Sequence, residues 1–109
     1  AEYWQYCKDC SREGYWAFMV IKMTGNQKLV DLAVCESNLN PRANGDKKKG
    51  IWRAKGLFQY HEYTQIAFSA RYGIENPVWG DPYQQIILTD KMVKDGYGYL
   101  WTCWKKLKL

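Results

Sequence analysis

The stretch that decides how the chain is read is Gln27-Lys28-Leu29-Val30-Asp31-Leu32-Ala33-Val34-Cys35-Glu36-Ser37-Asn38-Leu39-Asn40-Pro41. Leu29, Leu32 and Ala33 fall on one helical face, and Thr24-Gly25-Asn26 ahead of them reads as a stop followed by a new cap. Pro41 forbids much continuation, so a helix is expected over Gln27 to about Asn38. Glu36 breaks the local pattern. It lies seven, four and three positions after Leu29, Leu32 and Ala33, and so shares their core-facing side. A carboxylate there costs free energy unless it is paired or protonated. The negative end of the helix dipole, in the last turn, also opposes ionisation. Both effects raise a carboxyl pKa, as a general acid at neutral pH requires. A buried Glu satisfied by an Arg or a backbone group fits the same pattern equally well.

Working outward, Ser11 can cap a helix over about Arg12 to Met23, with Trp16, Met19, Val20 and Met23 at helical spacing. Beyond Pro41, the marks Gly45, Gly50 and Gly56 interrupt the chain, and Asn44-Gly45 reads as a turn. Ile51-Trp52-Arg53 and Leu57-Phe58-Gln59 are expected to pair as a small ribbon. Tyr60 to Tyr72 is helical again, with Gly73 suited to the left-handed position after it. Asp81-Pro82-Tyr83-Gln84 is a strong helix start, and Ile86, Ile87, Met92 and Val93 carry that helix to Lys94. A last helix is expected from about Tyr99 to Leu107. The fold class is therefore α+β, mainly α, with about five helices and a small β-ribbon.

The length of 109 residues gives one domain and no second core. Apolar residues at 47% and charged residues at 25% argue against disorder. No apolar run approaches the roughly 18 residues of a membrane helix, so no membrane insertion is expected. The opening Ala1-Glu2-Tyr3 suits a mature chain after signal removal or a trimmed one. A net charge of +5 draws the protein to polyanions. Lys47-Lys48-Lys49 reads as a solvated turn. With no basic residues in register on one element, no nucleic-acid partner is expected. Cys7, Cys10, Cys35 and Cys103 permit three connectivities. Their spacing, with His61 the lone histidine, offers no zinc site, and Cys7-x-x-Cys10 lacks the βαβ context of a redox motif. Disulfides in an oxidising compartment follow, hence a secreted, cell-wall or periplasmic location, with no metal and no cofactor.

Cys35-Glu36-Ser37-Asn38-Leu39-Asn40-Pro41-Arg42-Ala43 followed by Gly56-Leu57-Phe58-Gln59 resembles the lysozyme-like lytic transglycosylases, which carry Glu-Ser, Asn-Pro and Gly-Leu-Phe/Met-Gln in that order. Asp81-Pro82-Tyr83-Gln84-Gln85-Ile86 is similar to a helix start of the same superfamily. Cys35 before the Glu, with Asp95-Gly96-Tyr97-Gly98-Tyr99-Leu100-Trp101-Thr102-Cys103 near the end, looks closer still to the resuscitation-promoting factors, secreted bacterial relatives. The likeness runs from about Lys28 to Trp104. It implies a lysozyme-like catalytic domain over 26–109; residues 1–25 match nothing in the family and are expected to pack on that domain as an N-terminal segment. It implies cleavage of the peptidoglycan glycan by a monomer. It puts the catalytic acid at Glu36 and substrate contacts at Ser37, Gln59 and Tyr60. It also implies that Cys35 bonds to Cys103, which leaves Cys7 to Cys10. Two features depart from the family: the stretch between Pro41 and Gly56 is long and lysine-rich, and the late Ala-Tyr-Asn-Ala-Gly segment of the larger soluble members is absent.

Glycoside cleavage usually takes two carboxylates. No clear second carboxylate stands out: Asp46 in the ribbon turn, and Glu62 and Glu75 flanking the next helix, all read as solvated, with Asp46 the one able to hold a water if the route is hydrolytic. A lytic transglycosylase manages with one carboxyl group, which favours Glu36 acting alone and a 1,6-anhydro product. Trp16, Trp101 and Trp104 read as core. Trp52, Tyr60, Tyr63 and Trp79, at segment ends or in loops, have rings suited to sugar faces. A non-catalytic cell-wall binding module on the same scaffold is the rival class, keeping the groove and the charge without needing a protonated Glu36.

Overall fold

Side-chain caps set most of the helix boundaries in the computed structural model, which describes residues 11–109. α1 (Arg12–Thr24) begins where the Ser11 side chain accepts the Gly14 N–H at 3.1 Å. α2 (Gln27–Ser37) begins where the Asn26 side chain accepts the Lys28 N–H at 3.0 Å. Asn38 ends α2 in the left-handed conformation, its N–H returning to the Val34 carbonyl at 2.9 Å. Leu39 is left-handed as well (φ 56°), so the chain turns sharply and its side chain re-enters the core.

The ribbon pairs differently from the sequence expectation. β1 (Asn44–Lys48) and β2 (Ile51–Lys55) form an antiparallel hairpin, and β3 (Tyr60–His61) adds to β2, giving the order β1-β2-β3. The hairpin turn is Lys49-Gly50, with both residues at positive φ (53° and 79°) as a type I′ turn requires. Asn44-Gly45 is strand, and Leu57-Phe58-Gln59 is a buried turn. That turn is held by Gln85: its Oε1 accepts the Phe58 N–H (3.1 Å), and its amide donates to the Lys55 carbonyl (3.0 Å) and to Gln65 Oε1 (3.0 Å). A Cβ on Gly56 would lie 2.6 Å from that amide, so only glycine fits at its φ of 93°. Gln65 carries the network on, donating to the Val78 carbonyl (2.9 Å) and accepting the Gly80 N–H (3.1 Å). Both glutamines are buried, where such mutual satisfaction offsets their desolvation.

α3 (Glu62–Arg71) starts later than its periodicity suggests because Tyr60 and His61 pair with Lys55 and Ala54 of β2. α4 (Pro82–Lys94) is capped by Asp81, which accepts the Gln84 N–H at 2.9 Å. The expected last helix is split into a 3-10 turn (Tyr97–Leu100) and α5 (Thr102–Lys106). Trp101 breaks it with extended backbone, and its indole N–H donates to the Phe58 carbonyl at 2.9 Å.

The fold is thus α+β and mainly α. One core joins Ala17 and Val20 of α1, Leu29 and Leu32 of α2, Leu57 and Phe58 of the turn, Ile86 and Met92 of α4, and Trp101. Burying each large aliphatic or aromatic side chain contributes about 1.5–3 kcal/mol. Trp16 and Trp104 pack against this core. The Cys35–Cys103 disulfide, Cα to Cα 6.0 Å, ties α2 to α5. Cys7 and Cys10 lie outside the described residues.

Candidate active-site cleft

Glu36 stands in the last turn of α2, half-buried. Burial pushes its carboxyl above the ordinary value of 4.5, while the Cys103 backbone N–H, donating to the carboxylate, pulls the other way; burial is the larger effect. The carboxyl opens on a surface cavity of about 350 Å³, walled by Asp46, Ala54, Gln59 and His61 from the sheet side and by Leu100 to Cys103 from the C-terminal side. A second cavity of about 450 Å³ adjoins it, sharing Gln59, His61, Leu100 and Trp101. Its walls are aromatic, with Tyr60, Phe68, Tyr97 and Tyr99 among them.

Asp46 lies within β1 rather than in the hairpin turn, at a left-handed φ of 51°. Its Oδ2 takes His61 Nε2 at 2.9 Å and Arg53 Nε at 3.5 Å. The imidazole is charged only when protonated. The cleft therefore holds two carboxyl groups in different surroundings: Glu36, half-buried and resisting ionisation, and Asp46, half-exposed between two nitrogen groups. That asymmetry suits an acid opposite a stabilising or water-holding group.

Gln59 lines both cavities, as expected of a groove residue, but its amide donors are committed. Nε2 donates to the Ala43 carbonyl (3.1 Å) and the Gly56 carbonyl (2.9 Å), which leaves Oε1 for other partners. The side chain lies so close over β1 that a Cβ on Gly45 would collide with Oε1. Gln59 is thus the strut that joins the buried turn to β1.

Of three other expected contacts, Ser37 and Trp52 fall elsewhere and Tyr60 lines the aromatic cavity with its ring alone. The Ser37 hydroxyl lies within donating distance of the Ala33 carbonyl one turn back (3.2 Å) and of the Leu57 carbonyl of the buried turn (2.8 Å), and it accepts the Asn40 N–H at 3.3 Å; it braces the helix end against that turn. Tyr60 is only 3% exposed, its hydroxyl 2.8 Å from Thr89 Oγ1, and burial raises its pKa; its ring forms the cavity floor without offering its hydroxyl to a ligand. Trp52 belongs to the hairpin, its ring 5.1 Å from Lys47 Nζ and absent from both cavity walls. Of the other rings suited to sugar, Tyr63 is exposed on α3, and Trp79 is held by its N–H to the Tyr60 carbonyl at 2.7 Å.

His61, Tyr97, Tyr99, Trp101 and Thr102, which the sequence reading did not single out for the site, also stand in the cavity walls. Most lie in the Asp95–Cys103 stretch whose resemblance was already apparent, so a signal existed. The expected helix over Tyr99 to Leu107 runs straight through Trp101, where extended backbone instead separates the 3-10 turn from α5. Among the described residues, no group of three or more His, Cys, Asp or Glu side chains can hold a metal ion. No protein family, curated protein or solved structure matches this chain.

Proposed function

We propose that the chain cleaves the β-1,4 bond between N-acetylmuramic acid and N-acetylglucosamine in peptidoglycan, as a lytic transglycosylase on a lysozyme-like scaffold. The observation that carries this reading is a half-buried glutamic acid with a raised pKa, opening on a cleft whose adjoining arm is aromatic. The resemblance of the Glu-Ser, Asn-Pro and Gly-Leu-Phe-Gln run supplies the substrate class.

Glu36, protonated, gives its proton to the leaving O4 as the C1–O4 bond breaks. The resulting carboxylate then accepts the proton of the muramic C6 hydroxyl as O6 closes on C1, which restores the acid without consuming water. A cavity wall of Trp101, Tyr97 and Tyr99 offers rings to the sugar faces on one side of the acid. A chain with a disulfide between Cys35 and Cys103 and this substrate would act outside the cytoplasm.

A second reading rests on Asp46, which shares the cavity with Glu36. Held by His61 and Arg53, it offers the second carboxylate of a hydrolytic lysozyme and would hold the attacking water. Product mass separates the two. Purified peptidoglycan digested in ordinary water yields muropeptides one water lighter by the first route and full-mass reducing ends by the second. Binding of the glycan with no soluble product would reject both and leave a wall-binding module.

A further inference from the structure

Among the described residues, none covers the β1–β2 hairpin beyond its base. Every residue from Asp46 to Arg53 is exposed, on both strands and at the turn. A two-stranded ribbon gains little from its own pairing, so one that stands away from the core is not explained by stability. Its composition is lopsided. Lys47, Lys48 and Lys49 have no acidic partner among the described residues, whereas the single acid, Asp46, is engaged at the base by Arg53 and His61. Among these charges sit two large apolar side chains, Ile51 at 67% exposure and Trp52 at 43%. Lys48 pairs across the strands with Ile51, and Lys47 with Trp52, so a cation stands beside each apolar group at the tip.

We propose that this hairpin tip docks the protein on an anionic lipid bilayer. The charge complement is to anionic headgroups, which attract juxtamembrane lysines through their negative surface potential. The apolar side chains select a bilayer over a soluble polyanion: Ile51 gains nothing from a phosphate polymer, but leaves water at a headgroup–acyl boundary. Tryptophan is the residue that favours that boundary. Lysine stems reach along the apolar zone while their ammonium groups stay at the headgroups. No helix of the described residues is long and apolar enough to cross a membrane, so the attachment is peripheral and reversible. Because Asp46 roots the hairpin in the wall of the Glu36 cavity, docking would hold the cleft close to the membrane face.

Co-sedimentation with vesicles tests this without any glycan present. Vesicles of phosphatidylcholine alone and of phosphatidylcholine with phosphatidylglycerol are compared, using the full chain, Lys48→Glu/Lys49→Glu, Ile51→Ser, and Lys105→Glu/Lys106→Glu as a control with the same charge change on α5. Wild type and the α5 variant should bind the anionic vesicles and leave the neutral ones. Charge reversal at the tip should weaken binding by about thirtyfold or more, from roughly fivefold for each of the two lysines removed and the repulsion of the acids that replace them. Ile51→Ser should weaken it about fivefold, as removal of a partly buried aliphatic group predicts. Unchanged thermal unfolding midpoints would establish that the exposed-tip variants remain folded. Equal loss in the tip and α5 double variants would overturn the proposal in favour of net charge alone. Binding unaffected by Ile51→Ser would overturn it in favour of a soluble anionic polymer as the partner.

Discussion

The carboxyl of Glu36 accepts the backbone N–H of Cys103, the residue whose sulfur is bonded to Cys35 beside Glu36 in the chain. Acid and disulfide are therefore one unit. The bridge fixes α5 against the end of α2, and the first turn of α5 supplies the donor that restrains how far burial can raise the acid.

Replacing Cys35 and Cys103 by serine should remove about 4 kcal/mol of stability, the chain-entropy value for a separation of 68 residues. Denaturant unfolding measures it. The same variant should shift the alkaline limb of the activity profile to higher pH, because the Cys103 N–H that favours the carboxylate is no longer held in place. An unchanged limb would mean that the N–H contact does not depend on the bridge.

The raised pKa of Glu36 has a stability consequence with a definite sign. Folded protein retains this proton above 4.5, where the unfolded chain releases it. The favourable contribution is complete below 4.5 and is lost as pH rises through the folded pKa. Glu36→Gln removes the ionising group, so its unfolding midpoint should match wild type in acid and exceed it at neutral pH. Midpoints that differ equally at both would contradict the assigned shift. Activity requiring the protonated acid should fall over the same range.

Gly45→Ala should act through Gln59. The new Cβ would displace Oε1, breaking the bonds from Nε2 to the Ala43 and Gly56 carbonyls and costing about 1–2 kcal/mol. Gly45→Ala, Gln59→Ala and the pair together should therefore lose turnover by similar factors. Additive losses in a double-mutant cycle would show that the two residues act separately.

Much of this architecture is legible in the sequence where local chemistry decides the outcome. Ser11, Asn26 and Asp81 cap helices as their types and positions suggest, and Glu36 sits at the end of a helix whose Leu29, Leu32 and Ala33 are fully buried. The ribbon's register is not legible in the sequence because Asn44-Gly45 has the composition of a turn, whereas Gly45 leaves room for the Gln59 side chain over the strand. Leu57-Phe58 looks like strand because it is apolar, when the Phe58 N–H is taken by Gln85 and the two carbonyls by Ser37 and Trp101, all twenty or more residues away. Tyr60 lines the aromatic cavity but keeps its hydroxyl in the core, and the tertiary partner that decides this, Thr89, is equally remote. Long-range hydrogen bonds of this kind leave no periodicity behind them.

Asp46→Asn separates the two chemistries. If O6 of the muramic sugar is the nucleophile, anhydro products should persist at a rate near wild type, since Asp46 carries no proton in that route. A fall of about 10²–10⁴-fold with loss of reducing-end products would instead make Asp46 the group that activates water.

The most direct test compares wild type with Glu36→Gln on purified peptidoglycan, with soluble muropeptides quantified by mass. Wild type should release 1,6-anhydro muropeptides, and the variant, folded and at least as stable at neutral pH, should release them at least about 10²-fold more slowly. Release by Glu36→Gln at a rate near wild type would contradict the account.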